Sequence, residues 1–213
     1  TRRVYTHRSI HHELLSALVQ RTKLLEIGNP LDAAVTIGPL VNERQLNEVL
    51  AAVDRASKLG TLVHGGRRLD GLPYANGFFM EPAILTDLPH DAEIACEETF
   101  GPALSVWPFD DDDEALALAN RTRYGLSAAI FTRDGDAARE FTHRVAAGMV
   151  GVNVPIPVPM AFHSFGGWKR SLFGDHHIHG PEGVRFYTRL KTVTSRWPTS
   201  KRESAQFVMP TMK

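Results

Sequence analysis

Cysteine is almost missing: Cys96 is the single thiol in 213 residues. One thiol excludes an intrachain disulfide framework and suits a reducing compartment, so a cytoplasmic location is expected. No apolar run reaches the ~18 residues that a membrane span needs, and no signal peptide is visible. There is no excess of charge of either sign. The 24 Lys and Arg balance the 24 Asp and Glu, which removes the electrostatic footprint of a nucleic-acid or anionic-membrane binder. Internal repeats and low-complexity tracts are absent. So are a Ser nucleophile elbow and the ligand spacings of zinc fingers and calcium loops. Gly65-Gly66 lacks the wider spacing and the following helix of a phosphate loop, and reads as a turn.

What is present is a chain that is 43% hydrophobic, long enough for one sizeable core. Val4 to Arg8 reads as a strand, with Ser9 as the cap of a helix over 10–25 whose Leu14, Leu15, Leu18 and Val19 share a face. Gly28, Pro30, Gly38 and Pro39 make the next stretch a loop with defined turns. Asn42 and Gln45 form a capping-box pattern for a helix from 42 to 59 with a stripe of Leu46, Val49, Leu50 and Val53, ended by Gly60. Thr61 to His64 is a short strand. Gly77 to Leu85 is a strand interrupted by Pro82, which places it at an edge or bends it. From residue 103 the pattern alternates: strand, acid-led helix after Asp110–Asp113, strand 126–132, helix capped by Asp134, strand 148–154. That order predicts an α/β fold with a largely parallel sheet and flanking helices. Pro181 opens a short helix, and 190–197 reads as a terminal β-run. The chain opens inside its first strand, which leads to the expectation that it is a fragment of a longer protein.

One stretch concentrates chemistry. Glu97-Glu98-Thr99-Phe100-Gly101-Pro102 puts two carboxylates and a ring on a turn ahead of an apolar, β-favouring run, Ala103 to Phe109. A carboxylate there can accept hydrogen bonds from ribose hydroxyls, and a ring can pack on a planar group. On spacing alone, a surface acid pair beside a core Phe explains the same residues. Further on, Pro155-Ile156-Pro157-Val158-Pro159 is a stiff extended wall, and Phe162-His163-Ser164-Phe165-Gly166-Gly167 is either a pocket lining or a packed Ω-loop. His176, His177 and His179 sit close in sequence, but without a paired Cys or acid cluster they read as solvent-facing or ring-stacked rather than as metal ligands.

The Glu-Glu-x-Phe-Gly-Pro stretch resembles the motif of the NAD(P)-dependent aldehyde dehydrogenases, with Tyr124-Gly125-Leu126-Ser127 downstream and Gly28-Asn29-Pro30-Leu31-Asp32 … Gly38-Pro39-Leu40-Val41 upstream. The resemblance runs to about Pro198. In Gly151-Val152-Asn153-Val154-Pro155-Ile156-Pro157-Val158-Pro159 and the aromatic loop after it, the chain looks most like the methylmalonate-semialdehyde dehydrogenase branch. The resemblance implies that Glu98 contacts the nicotinamide ribose of NAD, that Phe100 packs beside it, and that Phe162, His163 and Phe165 face a small, carboxylated aldehyde. It implies coenzyme A as a cosubstrate, and homo-oligomers joined through residues 190–197.

It also implies three parts. Residues 1–171 belong to the C-terminal part of the catalytic domain, 172–198 form a return segment and oligomerisation strand, and 199–213 are a tail. The family's nucleophilic Cys, oxyanion Asn, general base and dinucleotide-binding unit match no residue here, so the fragment alone is expected to be inactive. Cys96 is expected to be an inert, buried or half-buried thiol. The alternative to a dehydrogenase portion is a catalytically inactive half-domain that acts as a β-edge interaction module.

Overall fold

The computed structural model describes residues 2–197; the proposed 199–213 tail lies outside the described residues. The chain enters through β1 (Arg3–His7) and turns directly into α1 (Arg8–Lys23). The expected cap moves by two residues. His7, not Ser9, caps α1, its side chain accepting from the Ser9 N–H at 3.2 Å. An imidazole nitrogen satisfies a free first-turn N–H as a hydroxyl would. The apolar stripe of α1 is only half-buried, with no fully buried residue.

α2 (Glu43–Ser57) carries the core. Asn42 caps it by accepting from the Gln45 N–H at 2.9 Å, and Leu46, Val49, Val53 and Ala56 are buried along one face. β2 (Thr61–His64) follows, then Gly65 and Gly66, both at positive φ, as a turn requires. β3 (Arg68–Leu69) pairs with β4 (Phe79–Met80). Pro82 does split the Gly77–Leu85 run, because it cannot donate to a ladder. The second half, β5 (Ala83–Thr86), is nevertheless an interior strand and not an edge.

α3 (Glu93–Cys96) is a single turn that the sequence reading did not assign, and β6 (Ala103–Phe109) follows. The main sheet runs β1-β6-β5-β2. Its first three strands are parallel, with Val4 opposite Val106 and Leu85 opposite Ser105, and β2 is antiparallel. Leu46, Val49, Val53, Met80, Leu85, Ile94 and Trp107 pack between this sheet, α2 and α3. The indole N–H of Trp107 donates to the Leu88 carbonyl at 2.7 Å, so the ring is buried without an orphaned donor.

The second part alternates as expected: α4 (Asp112–Asn120), β7 (Tyr124–Gly125), β8 (Ser127–Ile130), α5 (Gly135–Arg144) and β9 (Met149–Val152). Asp111 caps α4 and Asp134 caps α5, each through backbone N–H groups of the first turn. The acid run is therefore a helix start, as charge at the positive dipole end favours. β8 and β9 are parallel but form their own two-stranded sheet. β8 is half-buried rather than the buried strand expected over 126–132, since only Leu116, Val145 and Ala147 form the buried cluster beside it.

β10 (Trp168–Lys169) pairs antiparallel with β7, and α6 (Gly180–Tyr187) begins with Pro181 in its first turn. Residues 190–197 form no strand. A β-run makes a ladder only when another edge accepts it, and no edge of the described residues does. Leu190 is 98% exposed and Trp197 87%.

Candidate functional site

The Glu97–Pro102 loop leaves α3 and feeds β6, and three contacts fix its path. Gln45 does not complete the capping box. Its side-chain amide instead donates to the Thr99 carbonyl at 2.9 Å and to the Phe100 carbonyl at 3.4 Å. Pro102 passes its carbonyl to the Ala83 N–H at 2.8 Å, starting the β5–β6 ladder. Gly101 is required by close approach: a Cβ there would lie 2.6 Å from a methyl of Val49, itself fully buried in α2. The loop is thus pressed on the best-packed helix of the molecule.

Held this way, Phe100 adopts a positive φ of 46° and projects its ring outward, 75% exposed. It is not the core Phe of the simpler reading. A non-glycine residue in the left-handed region is uncommon and persists where surrounding contacts fix it. Glu98 is exposed beside it, and among the described residues its carboxylate accepts no hydrogen bond. Arg2 feels its charge. Burial and the neighbouring Arg3 hold the Arg2 guanidinium below its ordinary value, and Glu98 acts in the opposite direction. Glu97 pairs with Arg123, whose guanidinium also lies 5.0 Å from the centre of the Tyr124 ring. Chemically this is an outward carboxylate with free acceptor sites next to an outward aromatic face.

The Arg123–Glu97 pair ties that loop to β7, and β7 is paired with β10 at the end of the aromatic loop. Lys169 of β10 donates to the Asn120 carbonyl at 2.7 Å and the Thr122 carbonyl at 3.1 Å. Burial and then the charge of Arg3 push its ammonium below the usual lysine range. In the aromatic loop the three expected residues behave differently. Phe162 and His163 are exposed, their rings 4.5 Å apart. Phe165 is half-buried, stacked on His179 at 4.3 Å with the planes 9° apart. Ser164 holds the loop to the start of α6 by donating to the His179 carbonyl at 2.9 Å and accepting from the Glu182 N–H.

The histidines are accounted for without a metal. His179 stacks, His177 packs over Gly166, and Nδ1 of His176 lies 2.7 Å from Glu182. Among the described residues no three His, Cys, Asp or Glu side chains are placed to hold a metal ion. Cys96 is exposed, contrary to the expectation of burial, because the short turn of α3 directs only Ile94 and Ala95 into the core. Arg2 and Arg123 were not singled out from sequence, and Gln45 was read only as half of a capping box. Only the Arg121-Thr122-Arg123 spacing offered a signal.

A profile described as the aldehyde dehydrogenase family matches residues 1–193. The chain is 45% identical over 201 residues to the malonate-semialdehyde dehydrogenase of Pseudomonas aeruginosa, covering 93% of this chain and 40% of that protein. A crystal structure from Sinorhizobium meliloti 1021, titled as a methylmalonate-semialdehyde dehydrogenase complexed with NAD, superposes with a TM-score of 0.89. It is 41% identical, over 94% of this chain and 41% of the other. The methylmalonate-semialdehyde dehydrogenase of Oceanimonas doudoroffii gives a TM-score of 0.85 at 38% identity, over 93% and 41%. The chain therefore spans about two fifths of the length of these relatives.

Proposed function

The chain belongs to the aldehyde dehydrogenase family, and from that premise we propose that it provides the ribose-contacting and pocket-wall portion of an NAD-dependent dehydrogenase acting on a small carboxylated aldehyde. The observation that carries the reading is the pair Glu98 and Phe100. A carboxylate with unused acceptor capacity stands beside a ring kept outward by its own backbone. A dinucleotide offers a vicinal diol for the first and a planar ring for the second. These residues fit the cofactor: Glu98 would accept from the ribose hydroxyls, and Phe100 would bound the plane of the adjoining ring. NAD supplies the hydride-acceptor chemistry when bound.

Phe162 and His163 are proposed to face the aldehyde, with Phe165 as their support, since its ring is engaged by His179. The names of the relatives direct the substrate choice toward malonate or methylmalonate semialdehyde. Coenzyme A is the proposed acyl acceptor, a cytoplasmic location suits the single thiol, and residues 190–197 are the proposed contact between subunits.

A graft tests this. The chain replaces the matching segment of the Pseudomonas aeruginosa relative, and NADH formation from malonate semialdehyde is followed with and without coenzyme A. The graft is expected to turn over. Glu98→Gln should raise the KM for NAD about tenfold, the loss of one charge-assisted hydrogen bond. A folded graft without NADH formation, or an unchanged KM, contradicts the reading. The chain by itself is expected to give no NADH burst under the same conditions.

A further inference from the structure

Between β1, the end of α3 and the connection from α4 to β7 lies a cleft of about 270 Å³ that the dehydrogenase reading does not use. Its lining includes Arg3, Arg121, Arg123, Tyr5, His90 and Cys96, and no Asp or Glu. Three arginines line it, one from β1 and two from the connection between α4 and β7. Arg3 comes from the first position of β1, Arg121 caps the C-terminus of α4, and Arg123 leads into β7. Such like charges repel one another unless counter-charge is near.

Among the described residues the carboxylates near these cations are Glu97, paired with Arg123, and Glu98, whose charge acts on Arg2. Arg123 has Glu97 on the rim, but Arg3 and Arg121 have no carboxylate partner among the described residues. Arg2 and Lys169 add two more cations close by, since Arg3 perturbs both. The C-terminal end of α4 offers Arg121 about half an elementary charge, which leaves most of the excess uncompensated. Further donors surround the same space. Tyr5 and Thr122 bring hydroxyls.

We propose that this cleft binds a multiply charged phosphate, with Arg3 and Arg121 as its bidentate donors and Tyr5 and Thr122 completing the shell. Guanidinium is suited to that task, because its planar fork matches two phosphate oxygens at once. The phosphate could be free or part of a larger ligand; the geometry specifies the shared chemistry. The proposal does not depend on the dehydrogenase reading, and the two fail separately.

Cys96 makes the test direct, as the only thiol of the chain and part of the cleft lining. Its alkylation by iodoacetamide, a neutral reagent, is timed in the 213-residue chain with inorganic pyrophosphate and with sodium chloride of equal ionic strength. Pyrophosphate should slow alkylation saturably, about tenfold at ten times its half-saturating concentration. Chloride should not. Arg121→Gln should raise the half-saturating concentration about tenfold. Arg139→Gln, which removes a cation on α5 paired with Asp136, should leave it unchanged. If circular dichroism shows Arg121→Gln to be unfolded, Arg3→Gln takes its place with the same expected direction. ADP in place of pyrophosphate separates the sources: a lower half-saturating concentration means a nucleotide-borne phosphate, an equal or higher one a free phosphate. An alkylation rate indifferent to pyrophosphate, or protection undiminished in the arginine variant, overturns the proposal.

Discussion

At Gly101 two opposing effects meet. Glycine to alanine usually stabilises by about 0.4–1 kcal/mol where the backbone tolerates it, through the unfolded chain. The new methyl here would sit 2.6 and 2.7 Å from the two methyls of Val49, which cannot move within a packed helix face. Overpacking of that kind costs about 1–3 kcal/mol, so Gly101→Ala should be destabilising on balance in urea unfolding. Gln45→Ala removes the donor to Thr99 and Phe100 and should cost about 0.5–1.5 kcal/mol by the same measurement. It should also loosen the outward set of the Phe100 ring. Much of the candidate site was legible at this scale. The sequence marked Glu98 and Phe100 as exceptional because acid, ring, Gly and Pro fall in one short run. It marked Gln45 only as half of a capping box, because its role at the loop depends on a partner 54 residues away. His7 as a cap was hidden for another reason, since imidazole is a rare choice for that position.

Elements were read well where one face carries the whole signal. The stripe of α2 and the caps at Asn42, Asp111 and Asp134 are local facts, and local patterns report them. The edge or interior status of β5 is not local, because it depends on which strands later arrive on either side. A cut in α2 should therefore be expensive: Leu46→Ala, at 0% exposure, should lower stability by about 2–5 kcal/mol. Val184→Ala on the exposed face of α6 should stay within about 0.5 kcal/mol.

The cap of α5 carries a pH signature. Hydrogen bonds from the Ala137 and Asp136 amides, the first the larger effect, hold the Asp134 carboxyl below the usual aspartate range. A depressed carboxyl contributes stability above its unfolded value and loses it as pH falls through the folded one. The start of α5 should thus be intact at neutral pH and fray only in acid. The Ala137 amide shift should titrate with a midpoint below about 3.9, the ordinary aspartate value, and Asp134→Asn should abolish that titration.

Across the described residues the two sheets that contain parallel strands are unequally supported. The β1-β6-β5-β2 sheet is backed by twelve buried apolar residues, whereas the β8-β9 pair rests on Leu116, Val145 and Ala147. The alternation in sequence suggested one continuous layer, but alternation gives the order of elements and not how many strands share a ladder. Opening free energy follows buried apolar contact, so the smaller part should open first. In native-state hydrogen exchange, amides of Leu85 and Val106 should be the slowest, and those of Ala128 and Val150 faster by at least about a hundredfold, the equivalent of ~2.7 kcal/mol. Contact between copies would alter that gap. If residues 190–197 pair with another subunit, their amides gain protection as chain concentration rises, and Leu190→Pro shifts the size-exclusion profile toward monomer. A profile insensitive to Leu190→Pro would assign the exposed Leu190, Val193 and Trp197 to a surface other than a shared ladder.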